Sequence, residues 1–148
     1  PIFRNIAESE QSHMDATAFI IRRYGLVDPI KNDVPGVFLN PDLQELYDTL
    51  TITGEKSLLA ALTVGAEIED LDIYDLGRQL EISDNADLRI VYLNLEKGSR
   101  NHLRSFYGQI TRQGNSYLAR HIDAAYFKRI IDSDGERSGV ITDPYYRF

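Results

Sequence analysis

Three long stretches of this chain repeat apolar residues at helical spacing. Each carries two polar groups, three residues apart, on that same apolar side: Glu10 and His13, Glu69 and Asp72, Ser99 and His102. Residues i and i+3 share one face of a helix. A chain with three such stripes must pack helix against helix to bury them, and it carries carboxylates and imidazoles inward as it does so.

The first stretch, residues 2–24, places Ile6, Ala7, Glu10, His13, Met14, Thr17 and Ile21 at helical spacing, with Gly25 as its stop. Residues 26–39 hold Pro29, Pro35 and Gly36 and read as a connection. Asn40-Pro41 reads as a cap followed by proline at the first helical position, opening a short helix over about 41–53. The second long helix covers 57–80, with Leu62, Gly65, Ala66, Glu69, Asp72, Ile73 and Leu76 on one face. After the turn Ser83-Asp84-Asn85 a third covers 86–113 with Leu88, Val91, Leu95, Gly98, Ser99, His102, Phe106 and Ile110. A short helix is expected over 120–131, and 132–148 reads as an irregular tail. No stretch alternates as a strand does. The expected fold is all-α: a helical bundle domain over 1–131, with three long helices, a short crossover helix and a short C-terminal helix. The second and third long helices should be antiparallel neighbours because their connection is short.

The chain of 148 residues has a formal net charge of −7. That balance opposes nucleic acid or anionic membrane as a partner, since phosphate recognition needs a basic surface. No apolar run reaches the roughly 20 residues of a membrane span, so no membrane insertion is expected. With no cysteine, thiolate metal sites, cysteine-ligated clusters and a cysteine nucleophile are excluded. Localisation stays open, an extracellular or cell-surface place included, because the chain carries no targeting segment to read.

Glu10-x-x-His13 is the ligand pair that recurs in di-iron and di-manganese bundles, where the carboxylate bridges and the imidazole binds end-on. The run Glu67–Asp75 is crowded with acid. Glu69 and Asp72 share the face of Leu62, Ile73 and Leu76 and are read as the inward pair, while Glu67 and Asp70 fall elsewhere on the wheel. Helix three offers His102, but with Ser99 where a carboxylate would complete the unit; Glu96 substitutes only if the helix turns. An inward carboxylate costs several kcal/mol unless paired or coordinated. Glu10, His13, Glu69, Asp72 and His102 therefore imply one of two things. Either they hold iron or manganese, which suit mixed oxygen and nitrogen ligands, or they form a charged hydrogen-bonded network without metal. Asp132-Ser-Asp134-Gly135-Glu136 has part of a calcium-loop pattern but lacks its remaining ligands, and reads as a solvated turn. Calcium at surface acids is the other cation expectation. No catalytic residue is assigned.

The segments Phe3-Arg-Asn-Ile-Ala-Glu-Ser-Glu10-Gln-Ser-His13-Met14, Gly65-Ala-Glu-Ile-Glu69-Asp-Leu-Asp72-Ile73 and Gly98-Ser-Arg-Asn-His102-Leu resemble a ferritin-like family of bacterial and archaeal proteins known as a domain of unknown function. Gly36-Val-Phe-Leu-Asn-Pro41 and Leu43-Gln-Glu-Leu-Tyr47 fit as well. The resemblance covers about 1–131 and implies a ferritin-like four-helix bundle with a metal-carboxylate centre. The chain departs from that pattern in two respects. The helix that precedes the Phe-x-Asn-Ile-Ala motif is absent before Pro1, and Ser99 replaces a glutamate. A single ion or a lopsided pair fits this set better than a full di-iron centre. Three long amphipathic helices would leave an apolar groove for a fourth, and self-association through that groove is the partner expectation. Two functions follow: metal-dependent redox or metal handling, or a structural subunit that self-associates and keeps a degenerate metal site.

Overall fold

Among the described residues five helices follow one another: α1 (Ile2–Arg23), α2 (Pro41–Gly54), α3 (Leu58–Ile82), α4 (Ala86–Arg112) and α5 (Ala124–Asp132). The structure is a computed structural model, and it describes residues 2–31, 33–136 and 139–148. No strand occurs among the described residues. Side chains start four of the helices by accepting N–H groups of the first turn, which have no partner within the helix. Asn40 accepts from Asp42 and Leu43, Ser57 from Ala60, Asn85 from Leu88 and Asp123 from Tyr126. Gly25, at φ +62°, turns the chain off the end of α1 in the left-handed conformation that glycine adopts without penalty. No helix among the described residues is long and apolar enough to cross a membrane.

The short turn 83–85 folds α3 and α4 back on each other as the central antiparallel pair. Helix α1 is fixed against α4 at both ends. The Tyr24 hydroxyl bonds Asn85 and Asp87 at one end, where Arg23 also donates to Asp87 at 2.9 Å. At the other end the Phe3 ring lies 5.8 Å from Phe106. So α1 runs antiparallel to α4 and in the same sense as α3. Helix α2 packs on α3, and α5 on the far part of α4. The apolar core gathers Leu62, Ala66 and Ile73 from α3, Leu103, Phe106 and Ile110 from α4, and Phe127 and Ile130 from α5. Phe106 lies directly on Gly65, where a Cβ would come within 2.4 Å of the ring. The small residue at 65 serves this ring rather than a neighbouring backbone.

Two regions depart from expectation, for definite reasons. The last helix begins at Ala124 rather than 120, because Asp70 takes up the preceding loop. Asp70 is fully buried. Its carboxylate accepts the Tyr117 hydroxyl at 2.8 Å and the backbone N–H groups of Arg120, His121 and Ile122 at 2.6, 3.2 and 2.9 Å. Burial, with Asp70 beside it, drives the Tyr117 hydroxyl pKa upward. Asp70 is thus an inward residue, against its expected place on the wheel. The turn 132–136 is solvated at Asp132, Asp134 and Gly135, as expected, but not at Glu136. Glu136 reaches Arg100 through both oxygens at 2.8 and 2.7 Å and Arg104 at 3.2 Å. That pairing holds the Glu136 carboxyl below its ordinary pKa even though burial opposes it.

Removing Asp70 tests how much the loop depends on it. Asp70→Ala leaves the Tyr117 hydroxyl and three N–H groups without their acceptor, of which those of exposed Arg120 and His121 can turn to water. At ~1–3 kcal/mol per buried orphan, the expected loss is about 3 kcal/mol, with Asp70→Asn losing about half as much. Urea unfolding followed by circular dichroism measures both, and equal stability of all three proteins would refute the role given to Asp70.

Candidate metal centre

Three of the five candidate residues bring a donor atom to a common point. His102 Nδ1 lies 2.9 Å from Glu10 Oε1 and 3.3 Å from Glu69 Oε1. One ligand atom each from Glu10, Glu69 and His102 falls within 4.8 Å of the others. Helix phase explains the meeting. Glu69 follows Leu62 and Ala66 on the buried stripe of α3, and His102 sits between Ser99 and Phe106 on that of α4. Glu10 reaches them from the middle of α1, whose ends are tied down as described. Glu69 and His102 are buried, and Glu10 is partly exposed.

The bonding of these atoms is unusual. Glu10 Oε1, Glu69 Oε2 and His102 Nδ1 are all shielded from solvent, yet none makes an aligned hydrogen bond. The short His102–Glu10 separation brings the charges together without directing the ring N–H along the acceptor's axis. Buried polar atoms are nearly always well bonded, so three misaligned ones at one point leave donor capacity that a ligand could use. Donors on adjacent positions of a six-coordinate divalent ion, with bonds of about 2.1 Å, stand about 3 Å apart, as the His102 and Glu10 atoms do. The donor set, two carboxylates and an imidazole, suits iron or manganese.

His13 holds the other carboxylate oxygen of Glu10. Its Nδ1 lies 2.9 Å from Glu10 Oε2 in an aligned hydrogen bond, and its ring lies 5.9 Å from that of His102. Asp72 lies one turn beyond Glu69 and lines the groove described below, outside the three converging donors. Burial opposes ionisation of Glu10, but the imidazoles of His102 and His13 outweigh it and hold the carboxyl at about 2. Burial likewise opposes charge on His102, and Glu10 with Glu69 overcomes it, raising the imidazole to about 9. Burial raises Glu69, against His102, with Glu10 adding to the rise. Burial and then the charges of Glu69 and Glu10 lift Asp72 to about 7. Burial and the neighbouring carboxylates thus raise both Glu69 and Asp72 on α3, a setting that a bound cation would relieve.

Two openings lead toward it. A groove of about 570 Å³ between α1, α2 and α3 has mostly apolar walls, including Phe3, Tyr47, Leu50 and Ile68, with Glu10, Glu69 and Asp72 among its lining. A second recess of about 490 Å³, between the start of α1 and the far half of α4, reaches His102 from the other side. Glu96, the alternative ligand considered for α4, is committed elsewhere. It accepts the Tyr126 hydroxyl at 2.9 Å and pairs with Arg100 at 3.0 Å.

Gly98 is what admits His13. A Cβ at 98 would stand 2.5 Å from its Cε1 and Nε2 atoms. Gly98→Ala gains about 1 kcal/mol of helix propensity, which offsets the repacking, so overall stability should change little. His13 should nonetheless be pushed off Glu10, and the Glu10 carboxyl should titrate above about 2. Carbon-detected NMR of the carboxyl and imidazole resonances reads this out. Unchanged His13 shifts would refute the packing described.

Residues 1–134 match the model of an uncharacterized protein domain, DUF2202. The chain is 49% identical over 136 residues to the uncharacterized protein MJ0754 of Methanocaldococcus jannaschii, a match that covers 92% of this chain and 74% of that protein. It is also similar to the crystal structure of hypothetical protein MJ0754 from Methanococcus jannaschii, with a TM-score of 0.90 at 49% identity over 91% of this chain and 77% of the other. The family model spans both the bundle and all of the candidate ligands, and the chain belongs to the DUF2202 family.

Proposed function

We propose that this chain is a ferritin-like metal-carboxylate protein that holds an iron or manganese ion through Glu10, Glu69 and His102. The observation that carries the reading is the convergence of three buried donor atoms, none with an aligned hydrogen bond. When bound, such an ion supplies redox chemistry or is itself the cargo. The chain's own residues set the terms. His13 fixes the second oxygen of Glu10 and so orients the first, as partners of ligands do in metal sites. Asp72, at about 7, can carry a proton beside the centre near neutral pH. The apolar groove limits the water that reaches the carboxylates from that side.

Elemental analysis of the purified protein, followed by manganese or ferrous titration under argon, tests this. One equivalent is expected. It should be lost in Glu10→Ala, Glu69→Ala and His102→Ala, and weakened about tenfold or more in His13→Ala. Wild-type protein that takes up neither metal while remaining folded would refute the reading.

The second reading, a self-associating structural subunit, has its own observation. Phe3, Tyr47 and Ile68 line the groove with 43%, 39% and 39% of their surface exposed. A contiguous apolar surface of this kind marks an association site. In that reading a helix of a second copy lies in the groove, and His102 between Glu10 and Glu69 is an ion triad without metal. Sedimentation velocity should then find a dimer or larger particle that Ile68→Lys disperses. A monomer at ~100 μM, where weak association would register, would count against it.

A further inference from the structure

On the other side of α4 a recess of about 540 Å³ opens beneath the C-terminal tail, between the tail and the ends of α3 and α5. Four arginines line it, Arg89, Arg100, Arg129 and Arg147, against two carboxylates, Glu81 and Glu96. The side chains of the lining thus sum to two formal positive charges, in a chain whose side chains sum to −7. Arg100, fully buried at its floor, is answered by Glu96 at 3.0 Å and Glu136 at 2.7 Å. The other three are not. Among the described residues, no carboxylate lies within salt-bridge distance of Arg89, Arg129 or Arg147.

Aromatic rings hold two of these guanidinium groups. Arg129 lies 4.8 Å from the Tyr126 ring and 5.4 Å from that of Phe148, and Arg89 lies 5.3 Å from Tyr145. Stacking fixes the plane of a guanidinium while leaving its N–H edge free, and that edge matches the oxygens of a carboxylate or phosphate. Arg89 is further set by the backbone carbonyls of Leu80, Ser83 and Pro144, which accept its N–H groups without neutralising its charge. A concave, low-dielectric wall concentrates the field of such groups.

We propose that this recess binds a small oxyanion, a phosphate or a carboxylate, held by Arg129 and Arg147 with Arg89 behind them. The site is separate from the metal centre. Glu96 and Arg100 face the recess, whereas Ser99 and His102 of the same helix face α3 and α1.

Calorimetric titration of the full chain with inorganic phosphate and with malonate, at constant ionic strength in potassium chloride, tests the proposal. Saturable binding of at least one anion is expected, and the anion that binds identifies the source. Affinity should fall about tenfold or more in R129Q/R147Q, the loss of about 1.4 kcal/mol, fall less in Arg129→Lys, and stay unchanged in Glu10→Ala. Both arginines are exposed, so the variants should fold, and circular dichroism checks that they do. No saturation by either anion below about 10 mM, a binding energy under about 3 kcal/mol, would overturn the proposal. So would a loss smaller than about threefold in R129Q/R147Q, under about 1 kcal/mol.

Discussion

A carboxylate taken out of water needs a counter-charge or several hydrogen bonds, and neighbouring positions of α3 meet that need in opposite ways. Asp70 is answered four times over, by one hydroxyl and three backbone N–H groups. Glu69, its neighbour in sequence and nearly as buried, turns instead toward His102 and Ser99, and its contact with the imidazole is badly aligned. A fold that satisfies one buried acid so completely has the means to satisfy the other. It leaves Glu69, Glu10 and His102 with poorly aligned polar atoms at one point, the feature on which the proposed metal site rests. Arg100 on α4 is likewise fully buried: Glu136 accepts from its Nε and Nη2, while its Nη1 meets Glu96 at 3.0 Å without an aligned hydrogen bond.

The centre depends on the register of α1 more than on any single contact within it. Glu10 reaches Glu69 and His102 because the helix is pinned at Arg23 and Tyr24 on one end and at Phe3 on the other. Between those pins the His13 ring fits over Gly98. A slip of one helical turn, about 5.4 Å, would carry Glu10 beyond reach of both partners. The pinning contacts at the turn 83–85 are polar and largely exposed. At that end the fit of the centre rests on polar groups, while at the other Phe3, Ile2 and Ile6 pack on the core that α3 and α4 hold.

Periodicity and end signals made the helices legible. Asn40, Ser57 and Asn85 cap helices close to the expected places, and Gly25 ends the first of them. The inward face of α3 was legible at Glu69, since it repeats with Leu62 and Ile73. Asp70 was not, because its partner is a loop about 50 residues away whose N–H groups leave no trace in a helical wheel. Glu136 was hidden for the same reason: its partners Arg100 and Arg104 lie 36 and 32 residues away in sequence. Gly98 is an intermediate case. Its place on the inner face was readable, but only the approach of α1 shows that it makes room for an imidazole.

The two faces of α4 explain how one acidic chain can carry sites of opposite sign. Residues 99, 102 and 106 point toward α3 and α1, where carboxylates outnumber cations, and residues 89, 96 and 100 point toward the tail, where arginines do. The positions 100 and 102 are close in sequence, yet each charge is neutralised, or left for a ligand, on its own side. Exchange of the faces is barred by size as well as by charge. Arg100 needs the space under Phe148, whose ring lies 4.2 Å from its guanidinium. Ser99 is buried on the inner face beside Glu69. A serine in place of a carboxylate at 99 is thus consistent with a centre that holds one ion against three donors, with no fourth acid drawn from α4.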